Sequence, residues 1–246
     1  MPESDRSHLR AKTLANWLRP VGDKAQIRHS ELEEPLSSEK EPLFNAPWPA
    51  VAITVAIVGG YLLQSLLPPE QILPRWGYSP VLSRGHPETL ITAVFLHGSW
   101  AHAGMNGALA LAFATPVARY FGSRATGFAG FMLFYVLCGA LANLAFGLVH
   151  PQETAPLVGA SGAVSALAAA ASRLVAGRGE VGPILSSPVI GMGGGWVIAN
   201  LLIAVVGFAP GAGGAQVAWD VHLWGFGLGL LLIEPLGRLA GHVRVN

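Results

Sequence analysis

Charge is the first thing this sequence is short of. Of its 246 residues only 12% are Asp, Glu, Lys or Arg, against roughly 25% in soluble globular domains. A single cysteine, Cys138, excludes a scaffold stapled by disulfides. A formal net charge of +1 supplies no basic surface, so nucleic acid is not an expected partner. No internal repeat is visible, and no HExxH motif is present to hold a catalytic zinc. No apolar core precedes residue 43, so the N-terminal segment is not read as a signal peptide.

The few charges are also unevenly spread. Residues 1–46 hold seven Lys/Arg and eight Asp/Glu, whereas the remaining 200 residues hold eight and six. A block so poor in charge and 52% hydrophobic over the whole chain cannot cover a water-facing surface, and it reads as lipid-embedded. Six apolar stretches succeed one another at about 47–67, 100–117, 125–149, 157–172, 188–208 and 217–236. Most approach the roughly 20 residues a helix needs to cross a bilayer, and none shows the alternation of a membrane β-barrel. The expected fold is therefore all-α, a polytopic six-helix transmembrane bundle in the lipid bilayer.

Basic residues orient such a bundle. With six spans the termini share a side. That side would collect the seven basic residues of the tail together with Arg119, Arg124, Arg173, Arg178, Arg238 and Arg244. The other side would keep Arg75 and Arg84, so the count is thirteen against two and both termini are expected in the cytoplasm. The chain divides into a tail over residues 1–46, a six-span core over 47–238 and a short cytoplasmic tail over 239–246. The first tail is expected to be largely disordered, or to form a short surface helix over residues 7–18. Trp100, Trp196, Trp219 and Trp224 read as interface anchors.

Polar groups inside spans are costly and mark function by default. His102 and Asn106 lie near the start of the second stretch, Ser161 near the start of the fourth and His222 near the start of the sixth. These three spans run in the same direction, so the four residues lie at similar depth below the outer surface. His102 and Asn106 are spaced i,i+4 and share a helix face. His222, Gly225 and Gly229 also share a face, and the fourth stretch, with Gly162 and a run of alanines, has little bulk on any side. Small residues let helix backbones approach closely in lipid.

A serine and an imidazole on neighbouring helices allow nucleophilic acyl transfer once they come within about 2.6–3.2 Å. Ser161 would be the nucleophile, and His222 would accept its proton and return it to the leaving amine. The Ser161 backbone N–H, His102 and Asn106 are candidate oxyanion donors, with Ala160 beside them. Asp220, two residues before His222, points away from it on a helix and is read as a surface residue. His150 reads as a loop residue. Gly207-Phe-Ala-Pro-Gly-Ala-Gly-Gly-Ala215 reads as either a lid or a permissive connection.

Taken in order, His97-x4-His102-x3-Asn106, Gly159-Ala160-Ser161-Gly162 and His222-x2-Gly225-x3-Gly229 resemble the rhomboid family of intramembrane serine proteases over about residues 47–238. The resemblance implies a Ser161–His222 dyad without a catalytic carboxylate, an oxyanion site that includes His102 and Asn106, and no cofactor or metal. It implies single-span membrane proteins as substrates, cut near the outer interface, and His97 as an organiser of the first large loop. A compact core with a short tail resembles prokaryotic members, which implies a bacterial plasma membrane. The chain departs from the family pattern twice. Pro87-Glu88-Thr89 stands where a Trp-Arg pair is expected, with Arg75-Trp76 out of register, and Ser165 stands where an aromatic packs on the catalytic histidine. The alternatives are a rhomboid-like scaffold that binds spans without cutting them, and a haem protein using His97, His102 and His222. No span centre carries an Asp, which excludes an intramembrane aspartyl protease.

Overall fold

The computed structural model describes residues 45–206 and 218–242. The chain divides into two units, Met1–Asn45 and Ala46–Asn246, and every helix described below belongs to the second. Residues 1–44 of the first tail with its candidate helix, residues 207–217 with the glycine-rich segment, and the last four residues lie outside the described residues.

Eight helices and no strand are present among the described residues. Six are long: α1 (Trp48–Gln64), α4 (Trp100–Phe121), α5 (Ala125–Val149), α6 (Ser161–Ala176), α7 (Ser187–Val206) and α8 (Trp219–Leu239). They coincide with the six apolar stretches. Two short ones, α2 (Pro69–Trp76) and α3 (Thr89–Thr92), lie in the connection between α1 and α4, and a 3₁₀ turn over Ala93–Phe95 comes after α3. By length and composition α5 and, over Ser187–Val205, α7 suffice to cross a membrane.

Local chemistry sets the helix ends. Proline stands in the first turn of α1, where its missing N–H leaves no hydrogen bond unmade, and Pro68-Pro69 bars continuation beyond the end of α1. Ser99 caps α4 by accepting the His102 N–H at 3.1 Å. Gly122, with φ +83°, ends that helix in a conformation other residues avoid. The helices containing Arg119 and Arg173 run past those charges, so α4 ends later than the apolar stretch and α6 runs to Ala176. Arg173 is held inside because Nε donates to the Gly182 carbonyl at 2.8 Å and Nη1 to the Leu230 carbonyl at 2.7 Å, with Glu234 at 3.5 Å.

The start of α6 also differs from expectation. Residues 157–160 are not helical, because Leu157 exchanges both backbone hydrogen bonds with Tyr78 and Gly159 takes φ +131°. Ser161 is thereby the first residue of α6 rather than one inside it.

That helix is the axis of the bundle. Every residue from Gly162 to Leu174 is buried, and alanine is the commonest of them. A helix apolar all round can be buried all round, and the absence of bulk brings its neighbours close. A side chain at Gly225 would run into the Gly162 carbonyl, and one at Gly229 into the Ala166 carbonyl. Each contact advances four residues on both helices, so α6 and α8 run parallel. On the opposite flank Gly107 of α4 lets α1 approach, since a β-carbon there would stand 2.8 Å from Val58. Cys138 is buried in the same core. By contrast α7 is packed thinly: Val189 and Asn200 are its buried residues, and Ile190, Ile198, Leu202 and Val205 are exposed.

Candidate active site

Ser161 owes its position to the turn before it. The Gly159 N–H donates to the Ala93 carbonyl at 2.9 Å, and the left-handed φ of Gly159 turns the chain into α6. A β-carbon on Gly159 would stand 2.8 Å from Cε1 and 2.9 Å from Nε2 of His102, and 3.7 Å from Ser161 Oγ. Glycine is thus required there twice over, by conformation and by space. The same numbers put the His102 imidazole and the Ser161 hydroxyl on either side of one small region. As the first residue of α6, Ser161 carries its hydroxyl among N–H groups that have no acceptor inside the helix.

The parallel packing of α6 and α8 brings His222 to the same end. Val221 contacts the space beside Gly162, and His222, next in sequence, borders a cavity of about 340 Å³ together with Ser161, His102 and Asn106. Four residues expected to converge from three helices therefore line one cavity. No hydrogen bond joins Ser161 to His222. Instead His222 Nδ1 donates to Oδ1 of Asn200 at 2.6 Å.

Other groups fall into place around them. Asn106, buried, donates from Nδ2 to the His102 carbonyl at 3.1 Å, so its amide is tied to its own helix. Ala160 does not border the cavity; its N–H is directed to His97 Nε2 at 3.4 Å. Asp220 is largely covered rather than a plain surface group. It pairs with His150 at 2.8 Å, which joins the end of α5 to the start of α8. Trp196, one of the tryptophans read as anchors, is engaged with other helices: its indole N–H donates to Ser165 Oγ at 3.2 Å and its ring stacks on Phe226.

Several residues of the site carried no signal that sequence reading used. Asn200 and Asn143 both line the cavity, and Asn143 Nδ2 also donates to the Leu90 carbonyl at 2.9 Å. Gln64 pairs with the backbone of His97 twice, donating to its carbonyl at 2.7 Å and accepting its N–H at 3.0 Å. A polar side chain within an apolar helix would have marked Asn143 and Asn200. No group of three or more His, Cys, Asp or Glu able to hold a metal occurs among the described residues.

The rhomboid domain model matches residues 84–238, more than half of the chain. The chain belongs to the rhomboid family. A comparison with curated proteins finds no match. As a rhomboid protein with apolar helices, it is an integral membrane protein of a family that typically comprises intramembrane serine proteases and also includes pseudoproteases. Both departures from the rhomboid pattern have structural counterparts here. In the connection between α1 and α4, the out-of-register Arg75 stacks on Trp76 at 4.7 Å and reaches Glu88 at 3.8 Å, with His86 on the same carboxylate at 3.0 Å. Thr92 Oγ1 donates to the Trp76 carbonyl at 2.6 Å, and Ser79 Oγ to that of Glu153 at 3.0 Å. At the second departure Ser165 Oγ donates to the Ser161 carbonyl at 2.7 Å while receiving Trp196, which packs there from α7.

Proposed function

We propose that this rhomboid protein is an intramembrane serine endopeptidase that cuts single-span membrane proteins near the outer face of the bilayer. The observation that carries the reading is the shared cavity, lined both by a serine at a helix start and by an imidazole from a parallel helix. All six long helices would cross the membrane, with both termini in the cytoplasm of a bacterial cell and the cavity toward the opposite face.

Ser161 Oγ attacks the scissile carbonyl carbon as His222 Nε2 takes its proton. The negative charge that gathers on the carbonyl oxygen needs donors already in position. The Ser161 N–H, freed by its place at the helix start, is one, and the positive end of the α6 dipole adds to it. His102 and the Asn106 amide supply others once Asn106 turns from the His102 carbonyl. His222 then passes its proton to the leaving amine; water, deprotonated by the same nitrogen, attacks the acyl ester, and His222 returns that proton to the departing Ser161 Oγ. An approach of Ser161 to His222 is required, and catalytic hydrogen bonds commonly tighten only when substrate binds.

The test is a fluorophosphonate probe on purified protein, paired with cleavage of a single-span reporter. Wild type should be labelled on Ser161 and should cut. Ser161→Ala and His222→Ala should do neither while folding normally. A second reading is favoured by the lack of a hydrogen bond between the described Ser161 and His222 side chains: a scaffold that binds spans without cutting. Reporter binding by a wild type that neither labels nor cleaves would select it.

A further inference from the structure

From Val189 to Val206 helix α7 is apolar except for Asn200 and the indole nitrogen of Trp196. Most of its side chains are exposed on the face away from the bundle, yet Asn200 is 3% exposed and lies against the cavity. A buried amide in an apolar helix is costly unless its hydrogen bonds are made, so where they go is informative. Its Nδ2 donates to the Trp196 carbonyl at 2.8 Å, one turn back. A carbonyl only accepts, which fixes the amide: nitrogen toward Trp196 and oxygen toward His222. The oxygen stands 2.6 Å from His222 Nδ1 and can only accept from it.

We propose that Asn200 is a positioning residue for His222, holding the imidazole as the Nδ1–H tautomer so that the Nε2 lone pair is presented to the cavity and Ser161. The inference rests on the protease reading and gives it a third member, ordered serine, histidine, amide along one path. The partner of a catalytic imidazole determines which nitrogen carries the proton and how the ring is turned. Here that partner comes from α7, and Trp196, on the same face one turn before Asn200, donates to Ser165 Oγ at 3.2 Å. An amide orients the ring without adding a negative charge beside it. The ionisable groups that face His222 are His102 from α4 and Asp220 from its own helix, and Asp220 is engaged by His150.

The experiment uses the full chain in micelles. It follows fluorophosphonate labelling and reporter cleavage against pH for wild type, Asn200→Ala and Asn200→Asp, and records the nitrogen NMR shifts of His222. Asn200→Ala should lose about 10-fold to 100-fold in kcat with KM within two-fold, and should lose the Nδ1–H signature that wild type displays. Asn200→Asp restores an acceptor bearing charge. It should recover labelling and move the acid limb upward by one pH unit or more, as a carboxylate beside an imidazolium does. An alanine variant with wild-type kinetics and tautomer overturns the proposal, and so does an aspartate variant whose acid limb stays in place. If the alanine variant fails to fold, the near-isosteric aspartate decides. Should wild type itself neither label nor cut, the protease reading falls, while the tautomer in wild type and alanine variant still decides whether Asn200 sets it.

Discussion

Gly225 lies directly against the backbone carbonyl of Gly162, and one turn on Gly229 meets Ala166 in the same way. The obstruction is main chain on both sides, so no rotamer change can relieve it. This contact sets the spacing between α6 and α8 and with it the separation of Ser161 from His222.

Gly225→Val should therefore destabilise the protein by at least about 1–3 kcal/mol, the usual cost of overpacking a filled site. Gly227, two residues on, has open space around it, and Gly227→Ala should melt like wild type. Thermal unfolding in micelles compares the two. Equal melting temperatures for Gly225→Val and wild type would show that the helices are free to separate.

His102→Ala and Asn106→Ala should each lower kcat without large effect on KM, since the donors act on charge that appears only in the transition state. A single oxyanion donor is worth about 2.7–4 kcal/mol at most, and the partly redundant set here should give losses of about 10-fold to 1,000-fold. The Asn106 loss should be the smaller if its amide stays on the His102 carbonyl. Steady-state cleavage of the reporter measures both, and a loss confined to KM would assign these residues to substrate binding instead.

Gln64→Ala removes both hydrogen bonds to the His97 backbone. At about 1 kcal/mol net for each bond, stability should fall by about 2 kcal/mol, and activity should fall with it because the His97 ring faces that of His102 edge-on at 5.1 Å. Hydrogen exchange of the segment between α1 and α4 should speed up. Unchanged exchange there would mean that the Tyr78–Leu157 pairing suffices to order the loop.

Arg173→Met keeps the length of the side chain but removes the donors to the Gly182 and Leu230 carbonyls, and the Gly182 carbonyl, outside any helix, loses its side-chain partner. A buried acceptor left unpaired costs about 1–3 kcal/mol, so the melting temperature should drop while labelling of Ser161, at the other end of α6, persists in the folded fraction. Loss of labelling with normal melting would point to a role that packing does not explain.

Hydropathy made the helices readable, because a residue in lipid must be apolar whatever its neighbours are. The six apolar stretches match the six long helices, but their edges shifted wherever a charge found an internal partner. Arg173 reads as the end of an apolar stretch and is a buried part of α6. Residues 157–160 read as a helix start in the sequence, and are not helical because Tyr78, far away in sequence, pairs with Leu157 and Gly159 takes a positive φ. Ser161, His222, His102 and Asn106 stood out as polar groups near the starts of spans that run in one direction. Asn200 is a group of the same kind, a lone amide in an apolar helix, but without a spacing pattern to tie it to the others, and Gln64, at the last position of α1, carries no such mark.

By itself the sequence determined an all-helical membrane protein of rhomboid type and the residues around which chemistry could gather. Composition, run length and i,i+4 spacing are local properties, written along the chain. Only the tertiary structure decided that His222 turns to Asn200, that Gln64 grips His97 and that Asp220 belongs to His150. Each of those bonds joins elements separated in sequence, and a hydrogen bond needs two atoms within about 3 Å, a distance set by helix packing rather than by residue order.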